Sequence, residues 1–343
     1  MGPQRFATTC KVRTPRKIPT GMSDVTVEAR ATGWASNNLL HLTRAASRFY
    51  NIDGSPRPWQ ASSAEFPTES FRVPVPEIAP WTRLFLISLA LFVACKWLTY
   101  RRAARRLKAV TRPRLLGYWL LWPGMDAGAF LGPVQDRHRP PARVWLGALA
   151  QILAGGILVG MLARHLSPEN RFWRDWTVLI GLGLCGPFGV LHLVALGWQA
   201  VGVNAKPIMD RPFVSTSLSE FWGRRWNLAF RDVAHDFVFQ PLARKVGPRG
   251  AVAAAFLFSG LFHELTLSVP AAGGFGGPTA YFLLQLVGIY VERSAVGASL
   301  GLRQGWRGRL FCWAVTVSPA CAVFHRPLLD NVVLPWLGAM RLL

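Results

Sequence analysis

His263 stands inside an otherwise apolar run, AVAAAFLFSGLFHELTLSV. An ionisable residue in such a run is costly in a membrane and marks a functional site by default. Ser259, His263 and Thr266 recur at helical spacing and predict a narrow polar stripe. A neutral imidazole, with a reference pKa of ~6.5, is suited to taking a proton from a hydroxyl. The structural alternative is a histidine hydrogen-bonded between helices. Upstream, SEFWGRRWN at 219–227 puts two tryptophans, two arginines and an asparagine into nine residues. Arginine is the side chain suited to phosphate. Tryptophan and arginine also serve a plain interfacial anchor, but an anchor has no use for Asn227 among them.

The elements that must hold these residues are helical. Ser217 and Glu220 have the spacing of a capping box and predict a helix start. From there Phe221, Trp222, Arg225, Trp226, Ala229, Phe230 and Val233 fall mainly on one face, with Glu220, Arg224, Asn227 and Arg231 on the other. SEFWGRRWNLAFRD therefore reads as one amphipathic helix at the cytoplasmic boundary. Counted from a span start at Ala251, His263 lies ~18 Å into the membrane at ~1.5 Å per residue. An interfacial Asn227 and a deep His263 can share one reaction centre only by facing one internal tunnel, within roughly 10 Å of each other.

Other matches carry less. His192 lacks polar neighbours and reads as structural, and His325 sits near a span end. GLGLCG at 181–186 fits a dinucleotide fingerprint literally, but it lies inside an apolar run with no preceding strand. HELTL at 263–267 has Leu267 where a zinc site needs its second histidine, so no metal is expected. Gly156/Gly160 and Gly297/Gly301 have GxxxG spacing, suited to close helix packing.

Composition sets the class. Only 16% of the 343 residues are charged, 51% are hydrophobic, and there are 15 Trp and 21 Phe. Apolar windows at 84–100, 144–163, 176–203, 251–269, 277–297 and 309–327 predict an all-α, polytopic transmembrane bundle of about six to eight spans, with cytoplasmic amphipathic helices. LLGYWLLW at 115–122 offers an extra short or re-entrant element. The net charge of +22 clusters beside the apolar runs, as in RRAARRLKAVTRPR, which suits membrane lipid and not nucleic acid. Counting those charges places 101–143, 204–250 and 298–308 in the cytoplasm. The five cysteines include no CxxC and read as reduced thiols. Residues 1–80 are polar, basic and aperiodic and read as a disordered tail with no secretory signal peptide. Residues 81–343 read as one membrane domain.

FWGRRWN followed by a histidine in FLFSGLFHEL resembles the wax synthase branch of the membrane-bound O-acyltransferases. The similarity is sharpest over 204–268. It implies transfer of a fatty acyl group from acyl-CoA, a co-substrate with no resident cofactor, to the hydroxyl of a long-chain alcohol or other hydrophobic lipid acceptor. It also maps the family's catalytic pair onto His263 and Asn227. His263 would be the base, and Asn227 would hydrogen-bond the thioester oxygen or orient its neighbours. Arg224 and Arg225 would meet the CoA phosphates with Trp226 beside them, while Trp222 and Trp226 seat the helix in the interface. The chain has no H-x-x-x-D, D-H-H-C or G-x-S-x-G. That favours direct transfer over an acyl-enzyme. The competing class is a non-enzymatic transporter or lipid-binding protein, but the paired broken helices expected of a transporter are not visible.

Overall fold

The computed structural model describes residues 78–107, 110–134, 140–167 and 169–343. Every regular element among them is helical. The expected tail over 1–80 falls almost wholly outside the described residues, and residues 76–343 form one compact unit.

In chain order, α1 is Pro80–Ala104, α2 Arg112–Leu116 and α3 Ala127–Leu131. They are followed by α4, Ala142–His165, and α5, Arg171–Ala200. Next come α6, Leu218–Glu220; α7, Leu228–Ala234; α8, Gln240–His263; α9, Gly277–Arg293; and α10, Gly305–Val317. Four stretches among the described residues are long and apolar enough to cross a membrane: α1, α4, α5 and Leu228–Ala271. The protein is a multi-pass membrane protein. Large side chains such as Leu146, Leu153 and Met161 are left exposed on α4, as a lipid-facing surface requires. The windows at 277–297 and 309–327 yield shorter helices, because Gly276 and Ser294 bound α9 and Pro319 turns the end of α10 into a 3-10 turn.

Leu228–Ala271 is a hairpin, not one rod. Gly247 has φ 76° and ψ 168°, a conformation open to a residue without Cβ, and Pro248 restarts the helix. On a straight helix Phe230 and Phe258 would be ~42 Å apart at ~1.5 Å per residue. Their rings are stacked 5.8 Å apart. The chain therefore doubles back at Gly247, and exposed Arg244, Lys245 and Arg249 crown the turn. α9 then packs antiparallel to the returning arm. A Cβ on Gly260 would come 2.8 Å from Thr279 Cα, so the backbones touch there. At the other end Tyr290 donates to the Arg249 carbonyl at 2.8 Å.

Small residues pack α4 against α5, one position away from the expected spacing. A Cβ on Gly155 would meet the Gly181 carbonyl at 2.4 Å, whereas Gly156 and Gly160 face open space. Gly181, from the fingerprint-like GLGLCG, is thus a packing residue.

Lys96 on α1 is fully buried, a feature the hydropathy reading passed over. Its Nζ donates to the carbonyls of Trp122 (2.6 Å) and Gly124 (2.9 Å) and lies 3.9 Å from the Tyr118 ring centroid. LLGYWLLW is the short element expected at 115–122: α2 continues through a wide turn at Gly117–Leu121 and ends at extended Trp122. Lys96 caps that end, supplying donors that lipid cannot. Lys96→Met is expected to destabilise the protein by about 1.5–3 kcal/mol, because charge-assisted bonds are lost and buried carbonyls orphaned. Thermal unfolding in detergent reads this out, and an unchanged midpoint would contradict the role.

Candidate active site

The predicted single helix over 217–232 is broken. Ser217 Oγ accepts from the Glu220 N–H at 3.0 Å and starts α6, as the capping pattern requires. The Glu220 carboxylate reaches back one residue further than a capping box would, to Thr216 N–H (2.8 Å) and Oγ1 (3.1 Å). A wide, π-type turn, Phe221–Arg225, follows. Trp226 is extended, and Asn227 is left-handed at φ 41° and ψ 61°. Asn227 Oδ1 then accepts from the Phe230 N–H at 3.2 Å and caps α7. Helical spacing cannot foresee this break. Asparagine is the signal that could have found it, since it tolerates the left-handed region and caps helices.

The segment from Ser219 to Asn227, the hairpin and α9 line an open cavity of about 270 Å³. His263, Asn227 and Trp226 all line it. The returning arm contributes one stripe, Val252, Ala255, Phe256, Ser259 and His263, at helical spacing. His263 Nδ1 lies 2.7 Å from the Ser259 carbonyl. A carbonyl only accepts, so Nδ1 carries the proton, and in the neutral ring Nε2 holds a free lone pair. The Phe282 ring is 4.6 Å and the Phe230 ring 6.0 Å from the imidazole, fixing its plane. The helix widens into a π-type turn, Glu264–Ser268, directly after His263. Such bulges recur at functional sites. Glu264 turns away from the cavity, and its Oε1 accepts from Gly276 N–H (2.9 Å), Thr279 N–H (3.1 Å) and Thr279 Oγ1 (2.9 Å) at the start of α9.

The two arginines separate. Arg224 is exposed and does not line the cavity. Arg225 Nε and Nη2 both donate to Glu220 Oε1, and Nη1 donates to the Asp210 carbonyl at 3.3 Å. Its guanidinium is therefore a brace for the broken segment. Trp226 stacks on Phe221, with centroids 5.3 Å apart. Burial pushes the Glu220 carboxyl up, but the Thr216 and Arg225 hydrogen bonds outweigh it and hold the group below the usual carboxylate range. Its stabilising contribution is thus complete above the unfolded value of about 4.3 and fades as pH falls through the lower folded value. Arg225→Ala is expected to cost roughly 1.5–3 kcal/mol of stability. The loss should shrink in acid, where Glu220 is protonated in the parent too. Melting curves across pH check this; a defect confined to donor affinity, with unchanged melting, would contradict it.

Two contributors were not legible as site residues. Glu292 is fully buried and accepts from the N–H groups of Leu218 and Ser219, tying the start of α6 to α9. Arg293 donates from Nε to Ser219 Oγ at 3.1 Å and lines the cavity. In sequence they look like the ordinary charged end of an apolar run. His192 and His325 do not line the cavity. His325 is buried, caps the helix at Leu328 through Nδ1 (3.2 Å) and meets Ser268 Oγ at 3.3 Å.

Residues 205–284 match the membrane bound O-acyl transferase family. A probable long-chain-alcohol O-fatty-acyltransferase 3 from Arabidopsis thaliana is 38% identical over 126 residues, covering 33% of this chain and 35% of that protein. A long-chain-alcohol O-fatty-acyltransferase from Simmondsia chinensis is 33% identical over 134 residues, covering 34% and 37%. Over this segment the chain is similar to the membrane-bound O-acyltransferases and to their long-chain-alcohol O-fatty-acyltransferases. An acyl-CoA–sterol O-acyltransferase 1 from Arabidopsis thaliana is 37% identical over a shorter 70 residues, covering 18% and 20%. The chain thus spans little more than a third of the length of the curated relatives it matches first. The acyltransferase segment contains Asn227 and His263, whereas Glu292 and Arg293 lie beyond it.

Proposed function

We propose that the protein transfers a fatty acyl group from acyl-CoA to the hydroxyl of a hydrophobic alcohol, with His263 and Asn227 as catalytic residues. One observation carries the proposal: the two line one cavity, and both fall in the acyltransferase segment. His263 Nε2 takes the proton as the alcohol oxygen attacks the thioester carbonyl, forming the C–O bond. Asn227 Oδ1 is engaged as a cap, which leaves Nδ2–H to donate to the developing oxyanion. The tetrahedral centre collapses, the C–S bond breaks, and the departing thiolate takes the proton from Nε2. Ester and free CoA leave with no net proton released.

The Ser259 carbonyl supports this role by fixing the tautomer that leaves Nε2 bare. Trp226 forms cavity wall, and exposed Arg224 remains available to the donor at the cytoplasmic surface. With the returning arm of the hairpin counted as one crossing, α9, ~25 Å long at ~1.5 Å per residue, and α10 are proposed as the further crossings that bring the span count to six. The experiment is expression in a host lacking neutral lipid, with candidate alcohols supplied and esters profiled by mass spectrometry. New esters containing the supplied alcohol are the expected result. Their absence across fatty, sterol and terpenoid alcohols, with the protein inserted and acyl-CoA present, would overturn the reading.

A further inference from the structure

We infer that Arg231 is a further catalytic residue, whose Nε–H joins Asn227 in holding the oxyanion that forms on the thioester carbonyl. The inference rests on the acyl-transfer reading of the cavity and adds a second donor to the one already assigned.

Ring contacts fix the register of the hairpin. Phe230 on α7 stacks on Phe258 at 5.8 Å and lies 4.8 Å from Phe262 on the returning arm. Phe230 is therefore level with the turn between those two rings. Because the arms run antiparallel, Asn227 comes level with His263, and Arg231 with Ser259. Asn227, Phe230, Arg231 and Ala234 all line the cavity, at the spacing of one helical face. Arg231 thus stands one turn, ~6 Å of axial rise, from Asn227 on the cytoplasmic side. A helical side chain leans toward the N-terminus of its helix, which carries this guanidinium back toward Asn227. His263 leans the same way on its own arm, since its Nδ1 reaches the Ser259 carbonyl one turn earlier. The two side chains approach one another from opposite walls.

The bonding of Arg231 is incomplete. Nη2 pairs with Asp232 at 3.0 Å, while Nε is buried and has no partner among the described residues. Buried donors are hydrogen-bonded as a rule, so this one calls for an acceptor that binding supplies. No carboxylate among the described residues lines the cavity to take it. The other lining arginine is remote. Tyr290 bonds the Arg249 carbonyl, which puts Arg293 near the Gly247 turn, ~24 Å of axial rise from His263. Arg231 is consequently the arginine at the depth of the reaction. As the alcohol oxygen bonds to the thioester carbon, the C=O π pair moves onto the carbonyl oxygen. Asn227 Nδ2–H and Arg231 Nε–H each donate a hydrogen bond to that oxygen and keep their protons. The pair returns to carbon as the C–S bond breaks. A charged donor is roughly twice as strong as a neutral one, and a donor already in place needs no reorganisation.

The test compares two donors that differ in one atom. Full-length protein in lipid nanodiscs is assayed with an acyl-CoA and with the matching dithioester, in which sulfur replaces the carbonyl oxygen. Sulfur is a weak hydrogen-bond acceptor, so an oxyanion donor matters little to the second substrate. Arg231→Gln is expected to lower kcat on the oxygen donor by ~10²–10³-fold with little change in KM, and to lower the dithioester rate far less. Arg231→Lys keeps a cation for Asp232 and so safeguards folding, but it has no Nε–H; a loss on the oxygen donor alone is expected there too. Asp232→Asn breaks the ion pair and leaves Nε in place, and it should turn over both donors near the parent rate. Equal losses on both donors would assign Arg231 to the Asp232 pair, or to the space of about 30 Å³ that it borders on its other side, and overturn the inference. Unchanged kcat in both Arg231 variants would also overturn it. The parent reading fails differently: if the parent forms no ester from either donor, acyl transfer itself falls. If the parent forms ester and no variant shows a donor-dependent loss, only the role of Arg231 falls.

Discussion

His263→Ala is expected to abolish ester formation while the protein inserts and accumulates normally. Removing a positioned general base costs typically ~10²–10⁴-fold in rate. Among the described residues the side chain makes a single hydrogen bond, to the Ser259 carbonyl of its own helix, so its loss should leave the hairpin folded. Purified variant is to be assayed for turnover beside a melting curve. Near-normal turnover would remove His263 from the chemistry. His192→Ala provides the internal contrast, since His192 lies off the cavity. If it were the more damaging change, the wrong histidine has been assigned.

Asn227 needs a sharper test because it has a structural task. Its Oδ1 caps α7, and its backbone is left-handed. Asn227→Ala would lose the cap, costing ~0.5–2 kcal/mol, and would strain the backbone by ~1–2 kcal/mol, so loss of activity there would be ambiguous. Asn227→Asp keeps the capping oxygen but replaces the amide N–H with a carboxylate oxygen, which cannot donate and repels a developing oxyanion. It is expected to fold with a near-parent melting point and to lose ~10²–10³-fold in kcat, the cost of deleting an oxyanion donor. Asn227→Gly keeps the backbone conformation and should be as inactive as Asp. If Asp turns over like the parent, Asn227 is a helix cap and nothing more.

The sequence by itself determined the helical membrane class, the placement of His263 on a polar stripe, and the start of α6 at Ser217. These follow from local rules: hydropathy over a span, helical periodicity, and a cap within four residues. It also carried the acyltransferase resemblance, because Asn227 and His263 sit in one short segment. Tertiary structure decided the rest. Periodicity drew one helix through Asn227, whereas the chain breaks there, since a left-handed residue leaves no trace in an apolar pattern. Hydropathy gave the charged end of α9 no part in the site. Only the antiparallel packing of α9 on the returning arm brings Glu292 and Arg293 to Leu218 and Ser219, more than seventy residues earlier. Lys96 shows the same limit, because its fully buried ammonium is satisfied by carbonyls at Trp122 and Gly124, a pairing that exists only after the chain has folded back on α1. Arg225 looked free to bind phosphate, and its geometry turned it into the partner of Glu220. Residue type states what a group is able to hydrogen-bond; which partner it takes is set by long-range packing that one-dimensional spacing does not encode.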